Sequence, residues 1–271
     1  MLEALIGQRS IRNVLFRAAL RLLTRRLVYK LLEHANPQDG ILSAPHWKGC
    51  HLRRIDLKVW AVNLDCASGD LSLLSTSERV RAGRLKRPQD RERSLEAHCA
   101  IRRILALQLG VDPRYLEFDT TAVGKPFLGR PAQQLEFNLS HSGRHGLIAV
   151  AKDRSVGVDI EVRRPISDHL GVVLRIATPR EAKLLKQLPT SQVHSTLFDL
   201  WTRKEAVLKA LGQGFLIDPR EVEVGIGPGR SYVIFDERIW TVESLAISSS
   251  VTAAAAIEGK LDTPLVVSSP E

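Results

Sequence analysis

The chain has 271 residues, of which 44% are hydrophobic and 25% charged, with a formal net charge of +9. These values exclude collagenous, intrinsically disordered and small disulfide-stapled classes, and they allow one large domain or two modest ones. No uninterrupted apolar run reaches the roughly 20 residues of a membrane helix, and Cys50, Cys66 and Cys99 form no CxxC pair, which argues against a thiolate zinc site and for a reducing, cytoplasmic setting.

The charge is concentrated. Residues 1–50 carry eight Lys/Arg against three Asp/Glu, and residues 79–103 carry nine against three. Such blocks suit an anionic partner: nucleic acid, a membrane surface or a phosphate-rich small molecule. In the first block, Ile11, Val14, Leu15, Ala18, Leu22 and Leu23 fall at helical spacing with arginines between them. This predicts a basic amphipathic extension over 1–50. A transit-type segment or a membrane-surface helix shares that composition, and an accessory helix outside the main fold is the plainer reading.

From His51 the pattern changes. "RIDLKVWAVNL" alternates as a strand does, and "TSERVRAGRL" and "DRERSLEAHCAIRRILALQLG" read as helices, the second ended near Gly110. Short strands are expected at "RYLEFDT" and "PFLG" around the turn "AVGKP", followed by "LEFNLSH" and "GLIAVAK". "VGVDIEV" is a further strand. Then comes the helix "TPREAKLLKQL", with Thr178 as N-cap, Pro179 in the first position and Glu181 three residues after the cap. The long helix "STLFDLWTRKEAVLKALGQG" leads to strands at "REVEVGI", "RSYVIFD", "IWTVESLAI" and "VTAAAAIE", and 263–271 reads as a loose tail.

The order repeats. "VDPRYLEF" (Val111 to Phe118) resembles "IDPREVEV" (Ile217 to Val224), each after a long helix. Carried back without a gap, the match pairs Ala100, Arg103 and Leu105 with Ala206, Lys209 and Leu211, and it sets Cys99 opposite Glu205. The predicted fold class is therefore α+β: two similar halves, 51–155 and 156–262, packed as a pseudo-dimer, with a cleft between them suited to a ligand.

Within "SVGVDIEV", Asp159 and Glu161 lie on one strand face. An ordinary strand with a wet face would look the same. The other reading is a cation, since two adjacent carboxylates favour positive charge. Trp201, Glu205 and Lys209 share one face of the long helix at i, i+4, i+8. A helical ion pair and a core tryptophan account for these singly. Together, a strand with two carboxylates and a helix with a third can meet across a site. Mg²⁺ takes few protein carboxylates and fills its remaining positions from water and substrate phosphate.

"GVDIE" followed by "WTRKEAVLKALG" resembles the signature of the 4′-phosphopantetheinyl transferases, and "VGKPFL" and "FNLSHS" match that family's other two motifs in order and spacing. The resemblance covers roughly residues 55–257 and is to the larger, surfactin-type branch, whose single chain holds two related halves. It implies transfer of the phosphopantetheine arm of coenzyme A to a serine of an apo acyl or peptidyl carrier protein, with release of 3′,5′-ADP. It implies Mg²⁺, or Mn²⁺, on Asp159, Glu161 and Glu205, with Glu205 as ligand, base or both, and Lys209 stabilising charge on the diphosphate. Lys204 has a supporting part. By the same resemblance Ser140 and His141 contact the 3′-phosphate, Arg93 and Ser94 of "DRERS" contact nucleotide phosphate with Arg79 and Arg81 beside them, and Gly124, Lys125 and Pro126 line the adenine side. The second basic block then serves a small molecule. A basic nucleic-acid module would interleave aromatics with its cations, but aromatics are only 5% of the chain. A catalytically silent scaffold is disfavoured by the intact carboxylates. No transmembrane segment is expected, and the protein reads as a monomer.

Overall fold

The computed structural model describes residues 57–66, 70–131, 135–213 and 216–269. The basic extension expected over 1–50 lies outside them. Among the described residues no helix is long and apolar enough to cross a membrane.

The first half begins with β1 (Leu57–Asn63). Helices α1 (Thr76–Gly83) and α2 (Pro88–Leu109) follow, then the hairpin β2 (Glu117–Thr120) and β3 (Pro126–Arg130), and then β4 (Leu135–Ser142) and β5 (His145–Lys152). The second half runs β6 (Val156–Val162), α3 (His169–Ile176), α4 (Pro179–Leu185), α5 (Thr190–Leu211), β7 (Arg230–Phe235), β8 (Arg238–Leu245) and β9 (Val251–Glu258). With the short C-terminal strand β10 (Val267–Ser268), two four-stranded sheets result, ordered β10-β1-β5-β4 and β6-β9-β8-β7. In each, the first strand pairs antiparallel with the half's last strand, which pairs with the one before it.

Strand alternation builds the core. Val156, Val158 and Ile160 of β6 join Val59, Leu147, Ala149, Ala151, Ala253 and Ala255 in a cluster shared by the two sheets. The opposite face of the first sheet packs Trp60, Phe137 and Ile148 against Ile101, Ile104 and Leu105 of α2. The opposite face of the second packs Val233, Trp240, Val242 and Ala254 against Leu200, Val207 and Ala210 of α5. Full burial of one such large aliphatic side chain contributes about 1.5–3 kcal/mol.

The repeat is real, but its register differs from the gapless one. Asp112 and Asp218 each cap a 3₁₀ turn, at Pro113–Tyr115 and Pro219–Glu221, and each also pairs with the arginine two residues on. The long helices, however, both span 22 residues and end at a left-handed glycine, Gly110 or Gly212. Buried Arg102 bonds Glu78 at 2.7 Å and the carbonyls of Pro113 and Leu116 at 3.0 and 2.9 Å. Lys204 does the same job, bonding Glu181 at 2.7 Å and the carbonyls of Pro219 and Val222. Glu78 and Glu181 hold the same place in the capping boxes of α1 and α4. Arg102 is thus the counterpart of Lys204, Arg103 rather than Cys99 stands opposite Glu205, and the second half has four extra residues after its helix.

Two expected elements change. "REVEVGI" is not a strand, because buried side chains take its backbone groups. Lys204 and Arg203 bond the carbonyls of Pro219, Val222 and Val224, and Glu181 accepts from the amides of Val224 and Gly225 at 2.9 and 3.2 Å. The loose tail is not wholly loose either. Its residues Val267–Ser268 form β10, which runs parallel to β1 and extends the first sheet with C-terminal chain. The short helix α3, capped by Asp168, is additional to the expected elements.

Candidate active site

The site forms where the edge strand β4 of the first sheet meets the edge strand β6 of the second. They run in the same direction and are joined by side chains. Asn138 Oδ1 accepts from the Val158 amide at 2.9 Å, Ser140 Oγ from Ile160 at 3.4 Å and Ser142 Oγ from Val162 at 3.1 Å. These polar residues occupy alternate positions, so they share one face of β4, while Phe137 and Leu139 face the core under α2.

On β6 the apolar residues turn to the shared core, and Gly157, Asp159 and Glu161 alternate with them. Gly157 explains how α5 reaches the carboxylates. A Cβ there would collide with the Ala206 carbonyl and the Ala210 amide, so only glycine allows this close approach of helix to strand. The approach brings Lys209 Nζ to 2.6 Å from Asp159 Oδ1 and 3.0 Å from Ser140 Oγ. Ser140 in turn donates to Asp159 Oδ1 at 3.0 Å.

Asp159 is only 4% exposed, and its Oδ2 is buried with no hydrogen-bond partner. Glu161 accepts from Ser142 at 2.9 Å. Burial first, and then the neighbouring Asp159, push the Glu161 carboxyl above the usual carboxylate range. Two crowded carboxylates with one orphaned oxygen suit an added cation, and the donor set is the hard-oxygen kind that Mg²⁺ and Mn²⁺ take. Glu205 is half-buried on α5, one turn of about 5.4 Å before Lys209. Among the described residues no three His, Cys, Asp or Glu side chains form a group that could hold an ion. The structure therefore unites Asp159, Glu161, Lys209 and Ser140, with Glu205 on the same helix one turn before Lys209.

His141 points away from the joint, its residue exposed. Loss of hydration first, then the neighbouring His98 and Lys209, hold its imidazole below the ordinary value; Arg93 acts in the same sense and Asp90 opposes. His98 is fixed by its Nδ1–H, which donates to the Ser94 carbonyl at 2.7 Å. Arg93 forms a two-pronged pair with Asp65 at 2.7 and 3.0 Å. Arg79 and Arg81 are exposed on α1 and enter none of these bonds.

In the β2–β3 turn, Gly124 adopts φ of 88° and closes onto the Thr121 carbonyl at 2.8 Å. Pro126 opens β3. Lys125 leaves the turn and reaches the end of α5, donating to the Ala210 carbonyl and to Glu136, each at 3.3 Å. A cation there complements a helix C-terminus. Lys204 faces inward and is 1% exposed, so its part is to hold the fold. Asn138 and Ser142 of the joint lie beyond the residues singled out in the sequence. Their signal was present in "FNLSHS", as polar residues at every second position of an expected strand.

Comparison with known proteins adds independent information. Residues 155–256 match the model of the 4′-phosphopantetheinyl transferase superfamily, and residues 58–153 match that of the 4′-phosphopantetheinyl transferase N-terminal domain. The chain is 36% identical over 210 residues to the 4′-phosphopantetheinyl transferase HetI of a Nostoc species, covering 75% of this chain and 88% of that one. It is 28% identical over 144 residues to the 4′-phosphopantetheinyl transferase Sfp of Bacillus subtilis, covering 53% and 62%. It is 24% identical over 206 residues to the mouse L-aminoadipate-semialdehyde dehydrogenase-phosphopantetheinyl transferase, covering 68% and 67%.

Proposed function

Because the chain belongs to the 4′-phosphopantetheinyl transferase superfamily, in its larger, Sfp-type branch, and is a transferase enzyme, we propose a specific reaction for it. It moves the 4′-phosphopantetheine arm of coenzyme A to a serine hydroxyl of an apo acyl or peptidyl carrier protein, in a Mg²⁺-dependent step that releases 3′,5′-ADP. The observation that carries this reading is the buried Asp159, with its orphaned Oδ2, crowded against Glu161 and bonded to Lys209.

Asp159 and Glu161 would hold the ion, with substrate oxygens completing its coordination. When bound, the ion supplies charge neutralisation at the diphosphate and polarises the phosphorus under attack. Lys209 brings a second positive charge to the same point and steadies the departing 3′,5′-ADP. A serine hydroxyl is a weak nucleophile near pH 7 and needs a base. Glu205, one turn before Lys209 on α5, is assigned as that base, as a third ligand to the ion, or as both. In the transfer, the serine oxygen bonds to the phosphorus carrying pantetheine, and the bond from that phosphorus to the ADP moiety breaks. The first half supplies the nucleotide contacts, with Ser140, His141, Arg93 and Ser94 on the phosphates and the Gly124–Pro126 turn on the adenine side.

Incubation with coenzyme A, Mg²⁺ and a panel of apo carrier proteins should add the arm to at least one, read by mass spectrometry. Unmodified carriers throughout would remove the reading.

His141→Ala should weaken coenzyme A by roughly 10–100-fold, and 3′-dephospho-coenzyme A much less, as expected for loss of a charged hydrogen bond. Equal weakening of both would exclude a 3′-phosphate contact. The imidazole begins below its ordinary pKa, and a bound phosphate dianion raises it. Binding therefore takes up a proton between the two values. Affinity is greatest below the free value and falls as pH rises through the bound one. Calorimetry in buffers of different ionisation enthalpy measures that uptake, which dephospho-coenzyme A should lack.

A further inference from the structure

We infer that Ser142 is a positioning residue for the carboxylate pair, orienting Glu161 from across the side-chain joint between β4 and β6. The inference rests on the metal reading proposed above.

The argument begins with what an edge strand lacks. The outward amides of β6 at Val158, Ile160 and Val162 have no neighbouring strand in their own sheet, since β6 is its edge. A buried amide without a partner costs free energy comparable to a lost hydrogen bond. Asn138, Ser140 and Ser142 supply the acceptors, each one 20 residues before the amide it receives.

The three joint residues differ in what else they touch. Asn138 accepts from the backbone and has no carboxylate partner among its described bonds. Ser140 has both the Ile160 amide and Asp159, but it is already assigned to the phosphate-binding motif. Ser142 combines the two roles cleanly. Its oxygen accepts from the Val162 amide at 3.1 Å, and its hydroxyl donates to Glu161 Oε2 at 2.9 Å. The amide contact anchors the Ser142 oxygen, and its hydroxyl proton goes to Glu161. One oxygen of the Glu161 carboxylate is thereby tied to the joint. Partners that orient metal-ligating carboxylates in this way are worth roughly 10–100-fold in metal affinity.

The test compares Mn²⁺ binding by the full-length protein without coenzyme A, followed by electron paramagnetic resonance of the free ion, with thermal melting alongside. Ser142→Ala should weaken Mn²⁺ roughly tenfold or more. Ser142→Thr, which keeps the hydroxyl, should restore most of the affinity. Asn138→Ala removes a joint bond of the same kind but no carboxylate contact. It should lower the melting temperature while changing Mn²⁺ affinity little. With saturating Mn²⁺, Ser142→Ala should recover more of its kcat than at limiting Mn²⁺. If Ser142→Ala binds Mn²⁺ as the parent does, the inference is overturned while the proposed function stands. Equal loss in Ser142→Ala and Asn138→Ala would overturn it too, because Ser142 would then act only by holding the sheets together. If the parent itself binds no Mn²⁺, the metal reading fails first and takes this inference with it.

Discussion

Asp159→Asn is expected to lower Mg²⁺-dependent transfer on the order of a thousandfold or more in kcat, while the protein keeps its fold. Asparagine preserves the shape at a site that is only 4% exposed. Its amide oxygen can still accept from Ser140 and Lys209, which now meet at Asp159 Oδ1. What disappears is the negative charge, and with it the acceptor character of the buried Oδ2. Lys209 would keep a hydrogen bond but lose its ion partner. The measurement is steady-state transfer across a Mg²⁺ titration, with thermal melting to establish folding. A folded variant that retains wild-type transfer would show that the carboxylate pair serves structure and that the ion, if required, is held elsewhere.

The parts of this site that the sequence exposed are those written in local periodicity. Asp159 and Glu161 are two residues apart on a strand, and Glu205 and Lys209 are four apart on a helix. Each pair shares a face by backbone geometry alone. The Thr178–Glu181 capping box was legible for the same reason, since both partners lie within one turn. What stayed hidden depends on side chains that travel. Lys125 crosses to Ala210, 85 residues on, and Ser142 meets Glu161 across the joint. The segment after Pro219 alternates as a strand should, yet Lys204, Arg203 and Glu181 had already claimed its backbone. The repeat was visible in two "DPR" turns, but not its four-residue offset. A helix and its following turn are separate units, and insertions between them cost little.

The Arg102–Lys204 correspondence leads to the second large effect, one on stability. Lys204→Ala should cost about 3–5 kcal/mol, the usual result of removing one member of a buried ion pair. The residual Glu181 is fully buried and would carry an uncompensated charge, though it would still accept from the amides of Thr178 and Val224. The carbonyls of Pro219 and Val222 would lose their donor as well. For a chain of this size the melting temperature should fall on the order of 10 °C. Arg102→Ala should behave alike, because Glu78 and the carbonyls of Pro113 and Leu116 stand in the same relation to it. Lys204 sits beside Glu205 in the motif, so a motif-based reading would give it a share in the chemistry. Its burial at 1% exposure predicts otherwise: at a temperature where Lys204→Ala is folded, its kcat per folded molecule should stay close to wild type. A large kcat loss in fully folded protein would return Lys204 to the reaction, and an unchanged melting temperature would contradict the ion-pair argument directly.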